Sequence, residues 1–77
     1  MKELVAFIAG KLVEHPEQVA VSQQEDEDSI TIELRVAQND LGKVIGKQGR
    51  TAKAIRSVLA TTLGPDEDKR IRLEIVE

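Results

Sequence analysis

The feature that most constrains the fold of this chain is a Gly-x-x-Gly sequence at residues 46–49, which lies between two predicted helices. Asn39-Asp40 is a helix-start signal, and Leu41–Ile45 is long enough for one helical turn. Arg50–Leu63, beyond the glycines, predicts a longer helix. Glycine reaches positive φ cheaply and lets another backbone come close. The sequence therefore predicts a short and a long helix joined by a tight, accessible turn, here named the glycine loop.

The longer predicted helix has an apolar face and a basic face. At about 100° per residue, five of its apolar side chains fall together and predict the buried face, and three basic side chains fall roughly opposite. Gly64-Pro65 predicts the end of this helix. The buried face consists of Ala52, Ile55, Val58, Leu59 and Leu63, and the basic face of Arg50, Lys53 and Arg56.

Predicted strands lie on both sides of this helical pair. Residues 30–37 and Arg70–Val76 alternate between apolar and polar side chains, as strands with one buried face do. Residues 19–23 predict a shorter strand. Residues 25–29, four acids followed by Ser29, predict a solvated hairpin turn and not a metal site, because adjacent carboxylates point in different directions and the spacing of a calcium loop is missing.

The first helix completes the predicted architecture. It covers residues 2–14, carries an apolar stripe at Leu4, Ile8 and Leu12 with Val5 alongside, and stops at His15-Pro16. The element order is then α-β-β-α-α-β. We predict an α+β fold of two layers, with three helices on one face of a three-stranded sheet.

Length and composition exclude several classes of protein. Residues 1–77 are enough for a single small domain, of a size that often gains stability by forming a dimer. The absence of cysteine excludes disulfides, thiolate metal sites and thiol catalysis. No stretch approaches the ~20 apolar residues that a membrane span needs, and no signal peptide is visible. We therefore expect a cytoplasmic protein without membrane contact.

Charge is unevenly distributed along the chain. The net charge of −3 argues at first against a nucleic-acid partner, but residues 41–65 contain five basic and no acidic residues. The rest of the chain contains six basic and fourteen acidic residues. A local positive field on an acidic body directs an anion to one place. With one Phe, no Tyr and no Trp, the chain lacks the aromatic platforms on which RRM sheets and OB-folds stack bases.

The surroundings of the glycine loop suit a phosphate group. The N–H groups at the start of the following helix, with the positive end of its dipole, favour a phosphate oxygen. Lys43, Lys47, Arg50 and Lys53 add positive charge around the loop. Because these charges are spread over two helices, the pattern favours a nucleic-acid backbone over a single small buried anion.

Three other interpretations of the loop fit less well. A Walker P-loop needs four residues between its glycines, whereas Gly42 and Gly46 enclose three, and Gln48 replaces the magnesium-binding Ser or Thr. A DNA-binding helix-turn-helix normally has a first helix longer than one turn and needs no flanking strands. A plain structural turn would explain the glycines alone, but not their position among five cations after a predicted hairpin.

Residues 44–51, Val-Ile-Gly-Lys-Gln-Gly-Arg-Thr, with Ile55 downstream, closely resemble the signature of KH domains. The predicted element order is similar to the type II, bacterial form of that fold. Because the domain fills the chain, the sequence resembles small bacterial single-KH proteins of the KhpA type, over essentially all 77 residues. The resemblance implies a groove that holds about four nucleotides of single-stranded RNA, with their backbone against the loop.

The resemblance also implies roles for individual residues. The variable positions of the loop are Lys47 and Gln48, and some KH domains that have lost RNA binding carry acids there, so a competent site is favoured. An apolar base contact is assigned to Val44 or Ile45, although Ile45 fits a core position equally well. The implied phosphate contacts are Gly46, Lys47, Gln48 and Gly49, with electrostatic support from Lys43, Arg50 and Lys53.

Two functional hypotheses follow. The leading one is an RNA-binding module that acts as a post-transcriptional regulator or RNA chaperone. The alternative is a dimerisation module that pairs with another KH protein and has little RNA affinity of its own. The resemblance implies single-stranded RNA as one partner, and a homodimer or a heterodimer with a larger KH-containing protein of the Jag type. We expect no cofactor, no bound metal and no enzymatic activity, since the only histidine, His15, has no nucleophile or metal-ligand set around it.

Overall fold

The computed structural model describes residues 2–63 and 70–76, which form three α-helices and three strands in the predicted order. Short 3-10 helices lie at Pro16–Gln18, Gln38–Asp40 and Lys47–Gly49. The predicted α+β fold is confirmed. In the described ranges, no helix is both long enough and apolar enough to cross a membrane. The elements are α1 (Lys2–Leu12), β1 (Ala20–Glu25), β2 (Ser29–Arg35), α2 (Leu41–Ile45), α3 (Arg50–Leu63) and β3 (Arg70–Val76).

The three strands form one mixed sheet in the order β1-β2-β3. β1 and β2 are antiparallel because a tight hairpin joins them, and β3 runs parallel to β2 because α2 and α3 carry the chain back across the sheet. Val21 pairs with Leu34, and Leu34 pairs with Ile75, so apolar residues of all three strands lie in register. The central strand therefore supplies the middle of the core.

One face of the sheet carries the core and all three helices. The opposite face is polar, with Thr31, Glu33 and Arg35 alternating against the buried residues of β2. Each helix contributes to the same cluster, which identifies the covered side as a single layer. The buried members of this cluster are Val5 and Ala9 of α1, Ile30, Ile32, Leu34 and Val36 around β2, Val44 of α2, and Ile55 and Leu59 of α3.

The first helix differs from its prediction in length and in its buried residues. It ends at Leu12 and not at residue 14, because the N–H groups of Glu14 and His15 bind the carboxylate of Asp40 and not the preceding helical carbonyls. Val5 and Ala9 are fully buried, whereas Leu12 is 38% exposed. Leu4 and Ile8 are partly buried against the core, so the predicted stripe differs from the structure in the exposure of Leu12 and in the unpredicted burial of Ala9.

The strands near the hairpin and the third helix also depart from prediction. β1 continues to Glu25, so the turn between β1 and β2 is tighter than residues 25–29. Val58, predicted on the buried face of α3, is 44% exposed, since the core contacts of this helix come from Ile55 and Leu59. The predicted burial of Leu63 and the helix end at Gly64-Pro65 fall outside the part that the structure describes.

Candidate nucleic-acid interface

The glycine loop makes a sharp turn between α2 and α3. Gly46 ends α2 with φ 77° and ψ 169°, and its N–H donates to the carbonyl of Gly42 at 2.9 Å. The N–H of Gly49 donates to the carbonyl of Gly46 at 3.1 Å, and Gly49 itself has φ 75°. Gln48 between them also has positive φ, 58°. Three of the four residues thus adopt a backbone that favours glycine, and only two of them are glycine.

The two glycines are required for different reasons. A Cβ at Gly46 would lie 2.7 Å from Cβ and 2.8 Å from the backbone nitrogen of Thr51, so a side chain there would overlap the first turn of α3. A Cβ at Gly49 would face open space. Gly46 lets the two helices close on each other, and Gly49 leaves a surface where a ligand backbone can approach.

Four basic side chains, in the loop and along α3, are exposed. Within the described residues, no carboxylate oxygen lies within 4.0 Å of these charges. One of them has a neutral partner, since Nη2 of Arg50 donates to Oε1 of Gln48 at 3.1 Å. No carboxylate of the described residues therefore pairs with these positive charges. The four residues are Lys47, Arg50, Lys53 and Arg56.

Lys43, the fifth cation, is in a different situation. Its Nζ lies 3.3 Å from Oε1 of Glu14 and 3.6 Å from Oδ1 of Asp40. Two carboxylates therefore balance the charge that the sequence assigned to electrostatic support of the loop. Lys43 instead links α2 to the chain segment that follows α1.

The two candidates for a base contact, Val44 and Ile45, differ in their exposure to solvent. Val44 has no exposed surface and lies in the hydrophobic core, whereas Ile45 is 40% exposed at the end of α2. Successive helical residues point in different directions, so only one of the pair can face the sheet. Ile45 is the apolar side chain of the two that a ligand can reach.

Asp40 has a role that the sequence did not reveal. Its side chain is fully buried and does not cap α2. Oδ1 accepts the N–H of Glu14 at 3.1 Å, and Oδ2 accepts the N–H of His15 at 3.0 Å. Burial raises the pKa of this carboxyl, but the two backbone donors and the charges of His15 and Lys43 outweigh it, so the pKa is lowered from 3.8.

As predicted, α1 does not continue through His15, which precedes the 3-10 helix Pro16–Gln18. Its Nδ1 lies 3.6 Å from Oε2 of Glu17. Within residues 2–63 and 70–76, no group of three or more His, Cys, Asp or Glu side chains could hold a metal ion.

The fold and the loop together define a KH domain: a sheet with one antiparallel and one parallel pairing, backed by three helices, with Gly-x-x-Gly between the second and third. A family model described as "KhpA/KhpB, KH domain" matches residues 2–75. The chain belongs to this family, which is not a family of enzymes.

Relatives match over the whole chain. A protein of Listeria monocytogenes named "RNA-binding protein KhpA" is 51% identical over 77 residues and covers all of both chains. A protein of the same name from Halalkalibacterium halodurans is 52% identical over 77 residues, again with both chains fully covered. One from Chlamydia trachomatis is 46% identical over 77 residues, which are 100% of this chain and 97% of the relative.

Proposed function

We propose that this chain binds single-stranded RNA through the glycine loop and the exposed cations of α3. The observation that carries the proposal is the set of four basic side chains around the loop, with no carboxylate of the described residues within 4.0 Å. The relatives named "RNA-binding protein KhpA" support RNA as the ligand.

The loop geometry suits the backbone of the RNA. Gly49, where an added Cβ would have no atom within 4 Å, leaves room for a phosphate beside the start of α3, where the helix dipole is positive. Lys47 and Arg50 add charges that bind phosphate oxygens, and the planar guanidinium of Arg50 offers two parallel donors. In this proposal residues 46–49 contact phosphates, Arg50 and Lys53 support them, and Lys43 contributes little because carboxylates already balance it.

Recognition of the bases depends on aliphatic surface. Ile45 is exposed next to Gly46, and the only aromatic residue, Phe7, lies in α1. Without ring stacking at the loop, most of the affinity would come from phosphate contacts and would be strongly salt-dependent. We therefore expect weak binding with little base preference from a single copy of the domain.

Fluorescence polarisation with a labelled single-stranded RNA tests the proposal. Lys47→Asp/Gln48→Asp introduces acids into the loop and should abolish binding while the circular dichroism spectrum stays unchanged. For the wild type, the logarithm of the binding constant should fall with the logarithm of salt concentration, with a slope of roughly −0.7 per phosphate contacted.

A charge-matched variant provides the control. Lys11→Asp/Gln24→Asp changes net charge by the same amount on exposed positions of α1 and β1, outside the glycine loop and α3. It should weaken binding only slightly. Equal losses in the two variants would mean that overall charge, and not the loop, determines affinity; an unaffected loop variant would refute the proposed site.

The biological role that fits such a site is that of a post-transcriptional regulator or RNA chaperone in the cytoplasm. A second candidate function is pairing, with a second copy or with a larger KH-containing protein of the Jag type. The exposed apolar side chains of Phe7 on α1 and Val58 on α3 favour it. Pairing would place two weak sites on one RNA strand and raise the overall affinity by effective concentration. Light scattering over a range of concentrations, with Val58→Glu as the comparison, tests it.

A further inference from the structure

We propose that Asp40 is a positioning residue for the glycine loop: its buried carboxylate ties the segment after α1 to the start of α2, and α2 in turn places the loop. This inference rests on the proposed RNA-binding function. Asp40 does not contact the RNA in this proposal and affects RNA binding only through the position of α2.

The contacts of Asp40 join parts of the chain that are distant in sequence. Its two carboxylate oxygens accept N–H groups from Glu14 and His15, which are 26 and 25 residues away. Lys43, the third residue of α2, has its Nζ 3.6 Å from Oδ1 of Asp40 and 3.3 Å from Oε1 of Glu14. The carboxylate is fully buried, so its removal would leave these two N–H donors without their acceptor.

α2 needs such an anchor because it is very short. A helix of five residues is not stable by itself and forms only where contacts with the rest of the protein hold it. Val44 anchors the side of α2 that faces the core, and Asp40 anchors its N-terminal end. The residue after α2 is Gly46, so a shift or a loosening of α2 moves the first residue of the loop directly.

The charge of Asp40 makes the proposal easy to separate from a plain electrostatic effect. Asp40→Asn removes one negative charge close to a cationic site, and by charge alone it should strengthen RNA binding. It also turns one acceptor into an NH2 donor that faces a backbone N–H. If Asp40 positions the loop, Asp40→Asn weakens RNA binding, whereas the change in charge alone would strengthen it.

The experiment compares RNA binding by Asp40→Asn with the wild type at a temperature where both are fully folded. If the competent loop geometry falls to about a fifth of the population, the dissociation constant rises about fivefold. The salt slope should stay the same, because the complex that forms has the same phosphate contacts. Val21→Ala, in β1 and partly buried against the core, is the control for stability, and its affinity should remain at the wild-type level despite a lower Tm.

A second measurement uses the unmodified protein and so does not depend on Asp40→Asn folding. Coupling between two parts of a molecule is reciprocal, so saturating single-stranded RNA should slow hydrogen exchange at the amides of Glu14 and His15. Unchanged exchange there, with slowed exchange at residues 46–49, would overturn the positioning role. So would an Asp40→Asn affinity equal to or tighter than that of the wild type.

The two proposals fail in different ways. If Lys47→Asp/Gln48→Asp binds RNA as the wild type does, the RNA site is not at the loop and the proposed function fails. If that variant loses binding but Asp40→Asn does not, the site stands and only the role of Asp40 is wrong.

Discussion

The hairpin turn between β1 and β2 and the glycine loop are both tight turns, but they carry side chains of opposite charge. In the hairpin turn between β1 and β2, the carboxylate of Asp26 accepts the N–H of Asp28 at 2.8 Å and the N–H of Ser29 at 2.7 Å. The hydroxyl of Ser29 also donates to it, at 3.2 Å. The hairpin turn therefore supplies its own anion for its own donors.

The glycine loop supplies no such anion. Its backbone conformation depends on two glycines and on Gln48 at positive φ, and its charged side chains are basic. Lys47 and Arg50 have no carboxylate of the described residues within 4.0 Å. A turn that satisfies its own donors is a structural element, whereas a turn that leaves positive charge unbalanced is suited to an anionic ligand. The two turns can be tested against each other on stability and on RNA binding.

The largest effect is expected where the loop closes on α3. Gly46→Ala combines positive φ with overlap against Thr51, and should lower the free energy of unfolding by about 3 kcal/mol. Gly49→Ala has nearly the same φ but open space around its Cβ, and should cost only about 1 kcal/mol. Urea denaturation of both variants measures the difference. Equal losses in the free energy of unfolding of the two variants would mean that Thr51 moves away from the new Cβ at no cost.

The next prediction separates the roles of the two turns. Asp26→Ala removes the carboxylate of the hairpin turn and should lower the free energy of unfolding by about 1 kcal/mol, with RNA affinity unchanged or slightly higher. Lys47→Met should leave stability within about 0.5 kcal/mol and weaken RNA binding, with a salt slope smaller by roughly 0.7.

Urea denaturation and polarisation on the same two variants provide the check. A Lys47→Met protein that loses stability but keeps its RNA affinity would remove the distinction between a structural and a ligand-binding turn. The same holds for an Asp26→Ala protein that loses RNA affinity while it remains folded.

The features of the two turns that could be predicted from the sequence are those made by residues close together along the chain. The glycine loop, α2, the start of α3 and β3 were predicted with the bounds that the structure has, because capping signals, glycines and strand alternation are local. The hairpin was predicted for the same reason. The structure also places the basic side chains of α3 on its exposed surface, as predicted from helical spacing.

The contacts of Asp40 and Lys43 could not be predicted in this way. A local pattern marks Asp40 only as a helix-start residue, and nothing around it indicates donors 26 residues earlier in the chain. The same contact explains why α1 stops short of its predicted end, since Asp40 binds the N–H groups of Glu14 and His15. Lys43 was assigned to the loop because basic residues close in sequence were treated as one group, whereas tertiary contacts pair it with carboxylates.

Acid should loosen the glycine loop through Asp40. The folded-state pKa of this carboxyl lies below 3.8, so its contribution to stability is complete above that pH and is lost as pH falls through the folded-state value. Between pH 3.8 and the lower folded-state pKa, Asp40 binds a proton more readily in the unfolded chain than in the folded protein. Wild type should therefore lose stability on acidification more steeply than Asp40→Asn. Urea denaturation between about pH 5 and pH 2 measures both slopes, and parallel curves would show that the buried carboxylate does not titrate differently on folding.

The smallest expected effect distinguishes the backbones of the two turns. Gln48 has φ 58°, a conformation that costs a residue with a side chain about 1 kcal/mol and costs glycine little. Gln48→Gly should therefore raise the free energy of unfolding by about 0.5 kcal/mol, after the greater freedom of glycine in the unfolded chain is subtracted. Gln24→Gly is the matched control, because Gln24 is exposed in the extended strand β1 next to the hairpin turn, where glycine should cost about 0.5 kcal/mol. A gain in the free energy of unfolding for Gln48→Gly with a loss for Gln24→Gly would place the backbone strain in the glycine loop. A loss in both variants would mean that the side chain of Gln48, through its bond to Arg50, stabilises the loop more than its backbone conformation destabilises it.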